Sequence, residues 1–361
     1  MMDVIGKIQE VFNQAAEFEE GAARTTVLEE AVRLADESQE LGLQFDVRMI
    51  FVHEAFSSGD ADKMLVALSW CTNVAEKNPD EFPELDLVQA HTLALAYLAS
   101  FSSISRARIE QLLDDFESRC RHCDVGLRIV YRYRCFNAMW MGDGIEADSY
   151  FEEMNKYPSD DFCPAGPWHD LFRCDYYIQR ERLDEAVTTS QYVLDATDDS
   201  DGAYLWLASF MLLPLVRLGK TDEALEHARR VYPLVRANPK YVEVLGLNLS
   251  ALAAMNLADE ALPILERHIG WAAEASSVRA RLEFYVGAIM TCRCLMHRGD
   301  GDQHIRLPTT VAFDNSVPTT IRNVEIWLNE QIQELIVCFN DRNGNDYFTK
   351  LVENRLAMVS A

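Results

Sequence analysis

Cys120-Arg121-His122-Cys123 places two thiols and an imidazole within four residues, the groups that bind zinc or exchange disulfides. Zinc closes a tetrahedron with four ligands, so a second pair has to come from elsewhere. Cys292-Arg293-Cys294 is distant in sequence, and Cys135, Cys163 and Cys174 are nearer. None completes a recognisable ligand spacing. The nine cysteines therefore read as reduced thiols packed among helices, with no metal and no cofactor. Gly219-Lys220-Thr221 has the end of a phosphate-binding loop, but the earlier glycine would fall at Pro214 with no strand before it. Asp199-Ser200-Asp201-Gly202 starts like a calcium loop, yet with Gly202 sixth the twelfth position is Ala208, not glutamate. The eight histidines are dispersed, and no nucleophile–base or paired-carboxylate set can be picked out. The expectation is a protein without catalysis.

One charged cluster remains. Arg119, Arg121, Arg128, Arg132 and Arg134 fall within sixteen residues, with Asp124 the only acid among them. Arg128 and Arg132 are one helical turn apart. Guanidinium forks suit carboxylates and phosphates, so the cluster can bind an acidic or phosphorylated segment. The same arginines can instead pair within the chain, with Asp114, Asp115 and Glu117. The wider composition is acidic, 58 acids against 33 bases, for a net charge of −25. That repels phosphate backbones and anionic lipid, so neither nucleic acid nor membrane is expected as partner. The most apolar stretch, 205–218, is too short to span a bilayer and contains Pro214. The first residues lack the basic start and apolar run of a secretory signal, and the expected location is cytoplasmic.

The elements that carry these residues recur. Gly21, Gly59, Ser102, Gly142, Glu181, Gly219, Asn256 and Gly299 are spaced by 38, 43, 40, 39, 38, 37 and 43 residues. A fixed period in this range predicts stacked helix pairs. Glycine and asparagine tolerate the left-handed conformation that ends a helix; Glu181 is the exception. Five residues after four of these positions stand Ala147, Ala186, Ala224 and Ala261, each preceded by an acid suited to a helix N-terminus. Apolar or small residues follow at i+4 and i+7, one face of a helix. Asn78-Pro79 and Asn238-Pro239 close two helices exactly four 40-residue units apart.

This pattern resembles the tetratricopeptide-repeat (TPR) superfamily over about residues 5–304. The period exceeds the usual 34, which predicts helices about a turn longer, and the first-helix tryptophan-leucine-glycine-tyrosine pattern is mostly missing. The resemblance is thus to a divergent, long-repeat branch, like those of bacterial peptide-sensing regulators and large transcription activators. It implies an all-α fold, a right-handed superhelical α-solenoid of about 7–8 helix pairs, with the first helix of each pair lining a concave groove. Arg128, Arg132, Trp140, Trp206 and Arg217 then fall on groove-lining helices. Tryptophan and arginine dominate binding hot spots, and the tryptophans can equally be core. None of the seven lysines lies on such a helix, so the lysine clamp of chaperone-tail adaptors is missing. Residues 305–361 form a second unit, a Pro-bounded linker and a helical hairpin. Val324, Leu328, Ile332, Leu335 and Phe339 mark the apolar face of its first helix. The hairpin can cap the array or dock an effector. The functional expectation is a protein- or peptide-binding scaffold; the alternative is a ligand-responsive regulator acting through a separate output partner.

Overall fold

The computed structural model describes residues 2–18, 21–58, 60–82, 84–195, 202–314 and 316–359. Over these the chain is all α-helical, with a lone antiparallel bridge between His304 and Thr320. Seven hairpins follow one another: α1 (Met2–Ala16) with α2 (Ala22–Ser38), α3 (Leu41–Ser57) with α4 (Ala61–Lys77), and α5 (Glu84–Tyr97) with α6 (Arg106–His122). Next come α7 (Arg128–Trp140) with α8 (Gly144–Asn155), α9 (Pro167–Gln179) with α10 (Leu183–Leu194), α11 (Ala203–Arg217) with α12 (Thr221–Val235), and α13 (Val242–Ala254) with α14 (Ala258–Glu274). The chain ends in α15 (Val278–His297), α16 (Ile321–Asn343) and α17 (Tyr347–Ala357). From α3 onward each first helix packs on the first helix that follows, α3 on α5 through to α13 on α15, which is the stacking of a solenoid. Among the described residues no helix is long and apolar enough to cross a membrane.

The periodic turns explain the stacking. Gly142, Glu181, Gly219, Asn256 and Gly299 all take positive φ, between 58° and 93°. At each, the next N–H reaches five residues back: Asp143 to Ala138 O, Arg182 to Tyr177 O, Lys220 to Leu215 O, Leu257 to Leu252 O, Asp300 to Leu295 O. This is the double closure that ends a helix and reverses the chain in fixed geometry. Glu181, the exception in side-chain type, is none in conformation: its φ is 58°. A left-handed glutamate is strained by about 1 kcal/mol or more, and its carboxylate is held by Arg217. Ser102 departs from the pattern, because α5 runs into a 3-10 turn at Leu98–Ser100 instead. Gly21 has a φ of 152° and begins α2 rather than ending α1. Gly59 lies outside the described residues, as do Asp199, Ser200 and Asp201 of the calcium-like run.

Ala147, Ala186, Ala224 and Ala261 are fully buried. The thiols of Cys135 and Cys174 point at the carbonyls of Ala147 and Ala186, 3.3 and 3.4 Å away, so a cysteine on the first helix meets the small position of the second. The period exceeds 34 partly through connections such as 156–166; α7 to α10 are only 12 or 13 residues long.

The first helices curve round the C-terminal hairpin. Val324, Leu328, Ile332, Ile336 and Phe339 bury one face of α16, with Leu335 half-buried at its edge. The helix packs along α15 and ends at Gly344, left-handed at φ 70°. Its last turn then reaches the middle of the array. Arg342 donates to the carbonyls of Phe101 at 2.9 Å and Ala99 at 3.1 Å. Asn345 donates to Met141 O at 2.8 Å, Tyr347 to Gln179 Oε1 at 3.1 Å, and Arg355 bonds Glu283. α17 therefore faces α7, α9 and α15 from within the curve.

Two glycines set the closest crossing. A Cβ on Gly246 of α13 would lie 2.5 Å from the Glu283 carbonyl carbon, and one on Gly287 of α15 would lie 2.4 Å from Gly246 O. Backbone against backbone is what only glycine permits. α13 and α15 meet there, and their charged residues are brought into one place.

Candidate functional site

Between these inner helices and α17 lies a cavity of about 590 Å³. Phe210, Leu213, Leu247, Leu351 and Met358 give it apolar walls, contributed by α11, α13 and the C-terminal hairpin. Trp140, Asp175, Gln179, Glu243, Glu283 and Arg355 give it a polar floor. Glu181 and Arg217 form an ion pair at its edge.

The floor is a connected set of buried groups. Arg279 bonds Glu243, both buried, and its guanidinium carbon lies over the Trp140 ring, 3.8 Å from the ring centre. Arg355 bonds Glu283, which is 3% exposed. Asp175, 6% exposed, accepts from Trp140 Nε1 and Gln179 Nε2, both at 3.1 Å. Burial pushes the Asp175 carboxyl up to about 6, with the nearby Arg279 opposing. Burial also raises Glu243, again against Arg279. Charged groups in so dry a place remain ionised only when paired.

Of the residues expected to bind, two are brought here. Trp140, near the end of α7, and Arg217, at the end of α11, both line the cavity. Each stands two residues before a left-handed turn, so the repeat itself aims them inward. Arg128 and Arg132 lie toward the other end of α7, Arg128 about 18 Å along the helix from Trp140. Arg128 donates to Tyr157 O at 2.7 Å, beyond the end of α8, and to His169 Nε2 at 2.9 Å. Arg132 donates to Trp168 O at 3.1 Å and lies over Phe172. Trp206 packs on Phe210 and Tyr241 outside the cavity. The other arginines of the cluster meet acids: Arg134 with Asp114 and Glu117, Arg121 with Glu117, and Arg119 with Glu76 and Glu84. His169 sits among Arg128, Arg132 and Arg173; burial and those charges push it down to about 4.

The cysteine motif is split by burial. Cys120 is inaccessible, its thiol pushed up to about 12, while His122 is exposed beside Glu84. All nine cysteines are free thiols. No three His, Cys, Asp or Glu side chains among the described residues are grouped as a metal site.

Asp175, Glu243, Arg279, Glu283 and Arg355 escaped the sequence reading. They are up to 180 residues apart, and only the crossing of α13 with α15 and the return of α17 unite them. One signal was present: Glu243 is the single charged residue of the largely apolar α13. No protein-family model matches the chain, and no curated protein or solved structure matches it.

Proposed function

We propose that this chain is a non-catalytic, TPR-like binding protein that holds a short segment of another protein in the inner-face cavity. The observation that carries the reading is the cavity itself, bounded by first helices of consecutive units and by α17. Its volume falls within the roughly 300–1,000 Å³ of ligand pockets, and it combines apolar walls with a few convergent polar groups. Its anchors are already held. Trp140 is fixed by Asp175 on its N–H and Arg279 on its face, so little ordering is lost on binding. In this reading Trp140 and Arg217 contact the bound segment, while Arg128, Arg132 and Trp206 brace the frame.

Selection of a displayed random-peptide library on the purified protein tests it. Enriched peptides should bind the wild type and lose most affinity for Leu351→Trp, which fills the cavity from the half-buried face of α17. No enrichment, or equal binding to a folded Leu351→Trp variant, removes the reading. A ligand-responsive regulator is the second reading, favoured because α17 is both a wall of the cavity and tied to the array by Tyr347–Gln179 and Arg355–Glu283, ties that a segment bound beside them would disturb. A change in radius of gyration on peptide binding, measured by small-angle scattering, distinguishes it from a static scaffold.

A further inference from the structure

The charges of the cavity floor do not balance. Three buried carboxylates, Asp175, Glu243 and Glu283, meet two guanidiniums, Arg279 and Arg355. Each guanidinium has its own glutamate, and Arg279 is further committed to the Trp140 face. Asp175 is left with two neutral donors. A carboxylate offers about four acceptor sites, so roughly half of its capacity is unused where it borders the cavity. The edge charges do not fill the gap, since Arg217 is paired with Glu181 and Lys350 with Asp346.

We propose that the bound segment carries a lysine or arginine flanked by apolar residues, and that Asp175 is its counter-charge. This rests on the reading of the cavity as a peptide site. A cationic head on an aliphatic stem matches both surfaces: the head meets Asp175, and the stem lies along Leu213, Leu247 and Met358. On the floor, an anionic head would have to take a guanidinium from a buried glutamate. The chain as a whole, at −25, also draws cations toward it. The two hydrogen bonds of Asp175 do not need its charge, because Trp140 and Gln179 require only an acceptor and asparagine has one. The cationic neighbour of Asp175, Arg279, is hydrogen-bonded to Glu243, and a buried carboxylate without a paired cation of its own costs stability, so its place is explained by what binds.

The test is the same peptide selection, run in parallel on the wild type and Asp175→Asn, with thermal melts of both. The expected result is a basic position beside apolar ones among wild-type peptides, with affinity lower by roughly tenfold or more in Asp175→Asn. The melting temperature of Asp175→Asn should equal or exceed that of wild type. Peptides without a basic preference, or bound equally by both proteins, overturn the inference and leave the peptide site standing. A less stable Asp175→Asn with unchanged selection assigns the carboxylate to the fold and overturns it too. If Asp175→Asn does not fold, Asp175→Ser carries the comparison. If no peptide is enriched, the peptide site fails, and calorimetry with 1,5-diaminopentane decides the rest. Binding to wild type but not to Asp175→Asn keeps the cationic ligand class; no binding to either overturns it.

Discussion

Two groups of arginines behave in opposite ways. Arg119, Arg121, Arg128, Arg132 and Arg134 are neighbours in sequence, and they serve the local frame through acids, carbonyls and a histidine nearby. Arg279 and Arg355 are far apart, each with few basic neighbours, yet they meet over one cavity floor. Clustering along a helix leaves like charges to be satisfied by neighbouring acids that are themselves in water, such as Glu76 and Asp114, at little gain. Clustering through the fold sets them against buried glutamates, each of which needs its cation. The second arrangement is the one that can distinguish ligands.

The largest effect should come from separating the helices that build the inner group. Gly246→Leu drives a side chain into the Glu283 backbone, and a loss of at least about 3 kcal/mol, or no folded protein, is expected in urea unfolding. Next, Arg355→Met leaves Glu283 buried without its cation, which should cost about 3 kcal/mol. Arg121→Met, in the outer group, should change the free energy of urea unfolding by no more than about 0.5 kcal/mol, because its partner is one turn away and its side chain is in water. Equal costs would erase the contrast between the groups.

The outer group leaves its mark on pH dependence. An unfolded imidazole takes up its proton near pH 6.5, whereas folded His169, buried among three arginines, does so only near 4. Between these values the unfolded state binds more protons, so stability falls as pH falls through that window. His169→Gln should flatten the fall by about 1–3 kcal/mol between pH 7 and 4.5, read from urea midpoints. The smallest effect expected is on binding: the double variant Arg128→Ala/Arg132→Ala should keep the affinity of cavity-selected peptides within about twofold. A large loss there would move the site to the start of α7.

How far the sequence could be read follows from the range of each interaction. The turns at Gly142, Gly219, Asn256 and Gly299 and the alanines five residues on are local, and they are legible. Glu181 belonged with them despite its side chain, since spacing outweighed residue type. Ser102 did not, because α5 ends in a 3-10 turn that no local residue announces. The helices of the C-terminal hairpin were legible from the apolar stripe of α16, but the docking of Arg342 at Ala99 and Phe101 was not. Two carbonyls at the end of a 3-10 turn leave no pattern in residue type. Trp140 and Arg217 emerged from the repeat, while Asp175 and its partners required the curvature of the whole array.

The staple of Arg342 onto residues 99–104 has a consequence for how this chain can change over generations. An open stack of helix pairs can be lengthened or shortened by duplicating or deleting a unit, because each touches only its neighbours. Here α6 to α15 are bracketed between the 3-10 turn and the end of α16, whose span is fixed by its 23 residues. One unit more or fewer would leave the guanidinium short of its carbonyls or driven past them. The bracketed repeats are therefore locked in number, and variation by whole units is confined to those before the turn.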